Sequence, residues 1–158
     1  MNNIIKKIVD VLFYIIVAIL IIYALNVVYF KVIKKEKLPR IFNYYVFRVV
    51  TGSMEDTIKV NDYIIVKKTK NVKVNDIVTF EKDGSFITHR IIKKDGNEII
   101  TKGDANNAED DPITKDMILG KYVRKSKILG FLIKNKFIII IVLLFIYVLN
   151  MLLQKLSK

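Results

Sequence analysis

Polar and apolar positions divide the chain into three parts. Residues 11–30 form a run of twenty without a formal charge, and Asn26 is its only strongly polar member. A helix rises about 1.5 Å per residue, so this run is about 30 Å long and matches the hydrocarbon core of a bilayer. A second apolar run covers residues 137–153, at the short end of the spanning range. The pattern predicts membrane anchors at residues 1–35 and 128–158.

The two apolar runs differ in how firmly they predict a span. The first is longer than the apolar part of a usual signal peptide and is followed by Lys31, Lys34 and Lys35, so we expect a retained anchor rather than a cleaved leader. The second contains Asn150, and Lys134 and Lys136 separate it from the apolar stretch 128–133. It therefore either spans with help or forms a helix at the interface or against a partner.

Short runs of β-branched and aromatic residues fill the segment between the anchors. Such runs, bounded by Asn, Asp and Gly, predict strands at residues 44–50, 63–66, 77–80, 86–92 and 99–101. Asp83-Gly84 and Asp95-Gly96-Asn97 predict hairpin turns. The tetrapeptide KVND occurs at 59–62 and again at 73–76, which predicts two equivalent turns. We expect a mainly β module over residues 36–127, with coiled or partly closed antiparallel sheets, flanked by two transmembrane α-helices.

The amino-acid composition excludes several kinds of catalytic and metal-binding site. Of 158 residues 53% are hydrophobic, which is too apolar for an ordinary soluble domain unless the apolar residues are segregated, as they are here. The sequence has no cysteine, so it has no disulfide framework, no thiolate nucleophile and no Cys-bearing metal site. One histidine excludes a His-pair metal motif. We expect no metal and no other cofactor.

The candidate chemistry is that of a serine hydrolase. Such an enzyme needs a hydroxyl, a base within hydrogen-bond reach, an acid that orients the base, and donors for the oxyanion. Ser53 follows a predicted strand and a glycine, and His89 lies on another predicted strand with its neighbours on the opposite face. Asp104 and Asp110 lie in a loop rich in Asp and Asn. Each element is weak when taken alone.

Together these segments resemble the conserved boxes of type I signal peptidases. Residues 51–57 (TGSMEDT) resemble the family's serine box, usually Ser-Gly-Ser-Met-x-Pro-Thr, although Asp56 stands in place of the proline. Residues 61–66 (NDYIIV) and 75–80 (NDIVTF) resemble its two Gly-Asp segments with Asn in place of Gly. His89 stands where most bacterial enzymes carry a lysine base, and a histidine marks the endoplasmic reticulum, archaeal and minor Gram-positive branch. Residues 101–107 (TKGDANN), followed by Asp110, resemble that branch's acidic box.

The resemblance implies a membrane-bound serine endopeptidase that removes signal peptides from secreted preproteins. Ser53 would be the nucleophile and His89 the general base, with the Ser53 amide and the Thr51 side chain as oxyanion donors. Asp110 is favoured as the acid of the triad and Asp104 is also required, while Asp111 would substitute if the loop register slips by one.

The expected partners follow from the same resemblance. They are preproteins with small residues at the first and third positions before the cut, bound as an added strand, together with the lipid bilayer and the secretion translocon. No nucleic acid is expected, because the lysines are spread over every turn and no aromatic stacking motif is present. A non-catalytic, membrane-tethered β-module that binds a protein partner is the alternative.

The orientation in the membrane is predicted from function rather than from charge. Residues 31–136 contain 23 Lys and Arg against 14 Asp and Glu, and the positive-inside rule would keep them in the cytoplasm. The rule is weak for long segments, and a signal peptide presents its cleavage site at the outer face. We therefore expect a multi-pass protein of the cell membrane with the catalytic domain on the outer face and both termini cytoplasmic.

Overall fold

The structure, a computed structural model, describes residues 3–35, 38 and 40–156. The chain forms two units, one of residues 1–39 and 131–158 and one of Arg40–Gly130. The helices are α1 (Asn3–Val28), which continues into a π-helical turn at Tyr29–Ile33, α2 (Lys127–Lys134) and α3 (Lys136–Leu156). The strands are β1 (Tyr44–Arg48), β2 (Tyr63–Lys68), β3 (Ile77–Lys82), β4 (Ser85–Asp95), β5 (Glu98–Lys102), β6 (Ile113–Thr114) and β7 (Ile118–Lys125).

Within residues 40–130 the strands form one sheet in the order β1-β2-β7-β3-β4-β5-β6. Every neighbouring pair is antiparallel. The register shifts at Ile65/Val66, at Thr79/Phe80 and at Ile91/Lys93, and such irregularities increase the local twist of a sheet. The expected mainly antiparallel β unit is confirmed.

The core of the sheet lies on β3 and its neighbours. Residues 77–80 of β3 are all buried, so both faces of this strand are covered. The buried cluster consists of Val72, Val78, Phe80, Ile91, Ile99, Ile113 and Ile118. Burial of each such side chain contributes about 1.5–3 kcal/mol. This core makes β3 a firm support for β4, the strand that carries His89.

The two KVND tetrapeptides form the same turn, as the repeat predicts. Asn61 and Asn75 have φ values of 71° and 73°, a left-handed conformation that Asn tolerates better than most residues. In each turn the Asp amide donates to the Lys carbonyl, and the Lys amide donates to the Asp carboxylate. Both turns lead directly into a strand. Asn therefore fills the position where the resemblance would place Gly.

The pattern of residues misses β7, which lies in the middle of the sheet between β2 and β3. Gly120 interrupts the apolar alternation of β7, so the sequence of this segment resembles that of a turn. The structure explains this glycine, because a Cβ there would collide with the backbone carbonyl of Lys67 on β2. The predicted strand at 44–50 is also too long: β1 ends at Arg48, and the chain then leaves the sheet toward Ser53.

One of the two expected membrane spans has a matching candidate helix. The stretch Lys7–Ile33 is long and apolar enough to cross a bilayer. The second expected span is not confirmed, because α2 and α3 are separated at Asn135 by a bend of 69°. Only the two helices taken together are long and apolar enough to cross a bilayer. Lysines on both sides of this break, Lys134 and Lys136, interrupt the apolar run. Within the helical unit, the rings of Phe13 and Tyr147 stack with their centroids 4.1 Å apart.

Candidate active site

Ser53 lies in a tight turn that follows β1. The amide of Glu55 donates to the carbonyl of Gly52 at 3.0 Å, and the amide of Thr57 donates to that of Met54 at 2.8 Å. Met54 and Ile58 are buried and anchor the turn. Ser53 itself is half-buried. The turn thus presents the serine hydroxyl from a backbone that is fixed on both sides.

His89 connects Ser53 to a carboxylate. The side chain is buried on β4, and Thr88 and Arg90 extend to the other face as strand alternation predicts. His89 Nε2 lies 3.0 Å from Ser53 Oγ, and His89 Nδ1 lies 2.6 Å from Asp110 Oδ2. An ionised Asp110 can only accept hydrogen bonds, so Nδ1 carries the proton and Nε2 is left to accept one from the serine hydroxyl.

The three candidate carboxylates occupy different places. Asp110 contacts the imidazole, while Asp104 forms a two-bond ion pair with Arg90 at 2.8 and 2.7 Å. Asp111 pairs with Lys82 at 2.7 Å, and its side chain is 86% exposed. Among these three, Asp110 therefore has the position of the triad acid.

Thr101 is a site residue that the sequence reasoning missed. It is fully buried on β5, and its hydroxyl donates to Asp110 Oδ2 at 2.6 Å. The backbone amide of Asp110 also donates to the Thr101 carbonyl at 2.8 Å. One carboxylate oxygen thus accepts from both the imidazole and a buried hydroxyl. A sequence signal exists, since Thr101 shares the buried face of its strand with Ile99 and is the polar exception there.

The Arg90–Asp104 pair connects the serine turn to the acidic segment. Thr57 Oγ1 donates to Asp104 Oδ2 at 2.5 Å, and Arg90 also donates to the carbonyl of Asn75 at 3.0 Å. The Arg90 guanidinium lowers the pKa of the Asp104 carboxyl below its ordinary value; partial burial opposes this shift and the Thr57 hydroxyl adds to it. Asp104 is therefore ionised at neutral pH, and its oxygens bond to Arg90 and Thr57.

The backbones of the serine turn and the acidic segment are in direct contact. The amide of Ala105 donates to the carbonyl of Ser53 at 2.9 Å, and the amide of Asp104 donates to Met54 Sδ at 3.3 Å. A Cβ at Gly103 would come within 2.5 Å of the Ser53 carbonyl oxygen. This approach requires glycine, and it fixes the distance between the nucleophile and the acid-bearing loop.

A groove of about 500 Å³ runs past the serine. One wall is the end of β1 with the following residues 49–51, and the other is the first part of β4. The rings of Phe47 and Phe86, one from each wall, lie 5.8 Å apart. Thr51, the predicted second oxyanion donor, is exposed in this groove two residues before Ser53.

Among the described residues, no strand pairs with the first part of β4 on the side opposite β3. β5 pairs with β4 only from Arg90 onward, whereas β3 pairs with it from Ser85. Backbone groups of residues 85–89 are therefore available on one side for an extended segment.

In the part of the chain that the structure describes, no group of three or more His, Cys, Asp or Glu residues could hold a metal ion.

A buried His between a turn serine and a carboxylate, beside an apolar groove, is the constellation of a serine peptidase. The sequence profile of the Peptidase S24-like family matches residues 23–123, and the chain belongs to this family. It is similar to Signal peptidase I W of Bacillus subtilis (strain 168), with 33% identity over 126 residues. That match includes 74% of this chain and 65% of the relative, so the chain spans just under two thirds of the relative's length. The predicted resemblance to type I signal peptidases is confirmed.

Proposed function

We propose that this protein is a membrane-bound serine endopeptidase of the signal peptidase I type, which removes signal peptides from secreted preproteins. Ser53 is the nucleophile, His89 the general base and Asp110 the residue that orients the base. The hydrogen-bonded chain from Ser53 Oγ through His89 to Asp110, with lengths of 3.0 and 2.6 Å, is the observation that carries the proposal.

The reaction follows the acyl-transfer scheme. Ser53 Oγ attacks the scissile carbonyl carbon while His89 Nε2 takes the hydroxyl proton. The tetrahedral intermediate collapses, the peptide C–N bond breaks, and His89 gives that proton to the leaving amine. A water then attacks the acyl-serine ester, His89 takes one of its protons, and release of the new carboxylate returns the proton to Ser53. Asp110 stays ionised and stabilises the imidazolium in each step.

Two further groups complete the proposed site. The Ser53 amide and the Thr51 hydroxyl are the oxyanion donors, and removal of one such donor typically costs about 10² to 10³ in rate. Asp104 acts through structure, because its pairing with Arg90 and Thr57 holds the serine turn. Asp104 and Thr51 are therefore expected to affect turnover for different reasons.

The proposed substrate binds as an extended segment along β4. The open backbone edge of residues 85–89 supports this mode, since an added strand obtains main-chain hydrogen bonds from one side of the groove. Small residues at the first and third positions before the cut fit a groove that Phe47 and Phe86 narrow. The substrates are secretory preproteins, and the lipid bilayer and the secretion translocon are the proposed partners.

The proposed domains are an N-terminal anchor at 1–35, a peptidase domain at 36–127 and a C-terminal membrane-associated segment at 128–158. The apolar stretch Lys7–Ile33 supports the first of these. The protein would reside in the cell membrane as a multi-pass protein, with its catalytic domain outside and both termini in the cytoplasm.

The test is cleavage of a preprotein by the protein in detergent, with the new N-terminus read by mass spectrometry. Wild-type protein should cut after the signal peptide, Ser53→Ala should not, and His89→Ala should be slower by about 10⁴-fold or more. Ser85→Ala is the matched control, because Ser85 also lines the groove but does not hydrogen-bond to His89. Cleavage by Ser53→Ala at the wild-type rate would refute the proposal and favour a non-catalytic binding module.

A further inference from the structure

Helix α2 has an apolar face that no protein element covers within the described residues. Ile128, Phe131 and Leu132 are spaced as i, i+3 and i+4, so they share one side of the helix. Their exposed fractions are 74%, 64% and 45%. Contiguous exposure of large apolar side chains beside polar ones marks a surface that is covered by a partner or a membrane.

The charged residues next to α2 along the sequence are all basic. From residue 117 to residue 158 the sequence contains no Asp or Glu. Lys127 begins the helix and Lys134 ends it, and the chain adds Arg124 before it and Lys136 after it. An apolar helix face with lysines at its ends is the pattern of helices that lie on anionic membrane surfaces.

The start of α2 is fixed to the sheet close to the groove. The amide of Ser126 donates to the carbonyl of Tyr63 on β2 at 2.8 Å, and the Ser126 hydroxyl accepts from the amide of Leu129 at 3.2 Å. A Cβ at Gly130 would lie 2.9 Å from the Tyr63 ring, so the helix backbone packs directly on that ring. Tyr63 pairs with Arg48, which lines the groove.

We propose that α2 is an interfacial helix that lies in the plane of the membrane surface and binds anionic lipid. Its eight residues extend only about 12 Å, too short to span. In this arrangement Ile128, Phe131 and Leu132 enter the boundary of headgroups and acyl chains, about 5–10 Å deep. Lys127 and Lys134 contact the lipid phosphates.

The lipid contact has a consequence for cleavage, and this part rests on the proposed function. Since α2 is attached to β2 through Tyr63, the depth at which α2 lies in the membrane determines the distance between the groove and the lipid. A signal peptide is itself inserted in the membrane. The helix therefore determines which bond of an inserted substrate reaches Ser53, and it has no such role for a short soluble peptide.

The position of α2 in the membrane is tested by depth-dependent fluorescence quenching of the full chain in vesicles. The sequence has no tryptophan, so Phe131→Trp introduces a single reporter. In vesicles rich in phosphatidylglycerol we expect a blue-shifted emission, quenched more by lipids brominated near the headgroup than by lipids brominated near the chain end. Asn97→Trp, in the β4–β5 turn, is the control and should be quenched by neither lipid.

Three results would overturn the lipid assignment. Strongest quenching of Phe131→Trp by the deeply brominated lipid would make α2 part of a span. No quenching by either lipid would mean that protein or water covers this face. Equal quenching in vesicles of phosphatidylcholine alone would remove the preference for anionic lipid. None of these readouts depends on peptidase activity.

The consequence for cleavage has its own variant. Ile128→Ser combined with Phe131→Ser should cleave a soluble peptide at the wild-type rate but lose cleavage, or shift its position, on a membrane-inserted preprotein. An equal loss on both substrates would show that the double variant damages the peptidase unit, and unchanged cleavage of both would refute the positioning role. Activity that survives Ser53→Ala would instead refute the proposed function and leave the quenching result intact.

Discussion

At the scale of single residues, the orientation of the His89 ring depends on one oxygen atom, Oδ2 of Asp110. Asp110 Oδ2 accepts from the imidazole at 2.6 Å and from the hydroxyl of Thr101 at 2.6 Å. The buried hydroxyl fixes the carboxylate so that the imidazole meets it in one orientation. Since Ser53 approaches the opposite nitrogen, a rotation of Asp110 would also displace the ring from the serine.

Thr101→Val should therefore slow the proposed reaction without unfolding the protein. The substitution keeps the shape of the side chain and removes a hydrogen bond to a charged group, worth about 1.5–3 kcal/mol. We expect kcat to fall by about 10- to 100-fold, measured with the preprotein assay.

The matched control for Thr101→Val is Thr79→Val. Thr79 is equally buried on β3, but its hydroxyl bonds to that of Thr88 rather than to Asp110. Thr79→Val should lower stability while kcat stays near the wild-type value. Equal losses of kcat in the two variants would contradict the role given to Thr101.

Some residues of the site were predictable and others were not. Ser53, His89 and the acidic loop carry recognisable motifs, so the sequence named them, although it left Asp104, Asp110 and Asp111 open. The choice among them depends on how the loop lies across β5, which no local pattern encodes. Thr101 and Arg90 were not assigned a role because a single polar residue on a strand does not reveal what its side chain reaches.

At the scale of elements, the Arg90–Asp104 pair joins a strand, a turn and a loop. The lowered pKa of Asp104 means that the folded state favours the carboxylate. The pair therefore stabilises the fold above the ordinary carboxyl pKa of about 3.9, and this contribution is lost as the pH falls through the lower pKa of the folded state.

Arg90→Gln should reduce the free energy of unfolding by about 1–3 kcal/mol at neutral pH, since it leaves a partly buried carboxylate without its cation. The difference from wild type should shrink below about pH 4, where Asp104 becomes protonated in the unfolded chain and then in the folded one. Denaturant unfolding of the full chain in detergent, followed by circular dichroism at several pH values, measures the free energy of unfolding and its dependence on pH.

Lys82→Gln provides the comparison for Arg90→Gln. It breaks the ion pair with Asp111, whose side chain is mostly exposed, and exposed pairs contribute little. We expect its unfolding curve to follow wild type at every pH. A variant difference for Arg90→Gln that is constant with pH would contradict the assignment of the acid-sensitive contribution to Asp104.

Elements whose cause is local were predicted well, and those whose cause is distant were not. The KVND turns and the Asp83-Gly84 hairpin follow from residues that accept positive φ, as Asn61, Asn75, Asp83 and Gly84 do. β7 was missed because its Gly120 is required by a strand far away in sequence. The break between α2 and α3 is an exception, since Lys134 and Lys136 flank it in the sequence and the pattern left open whether the apolar run continues across them.

At the scale of the whole molecule, the proposed topology can be tested by one introduced cysteine, because the chain has none. Asn97 is exposed in the β4–β5 turn and has no positive φ, whereas Gly84 has a φ of 75° that a cysteine would strain. Asn97→Cys should react with a membrane-impermeant thiol reagent on intact cells. A reaction that requires lysis would place the sheet unit in the cytoplasm and refute the signal peptidase proposal.

The open edge of β4 also affects how the protein behaves when no substrate is present. A strand with unsatisfied amides and carbonyls is a template on which a second sheet can grow, and long edges of this kind lead to aggregation. Here the open part is limited to residues 85–89, because β5 closes the rest of an eleven-residue strand. Such a short edge can pair with one extended segment, and it offers few backbone groups on which a sheet could grow.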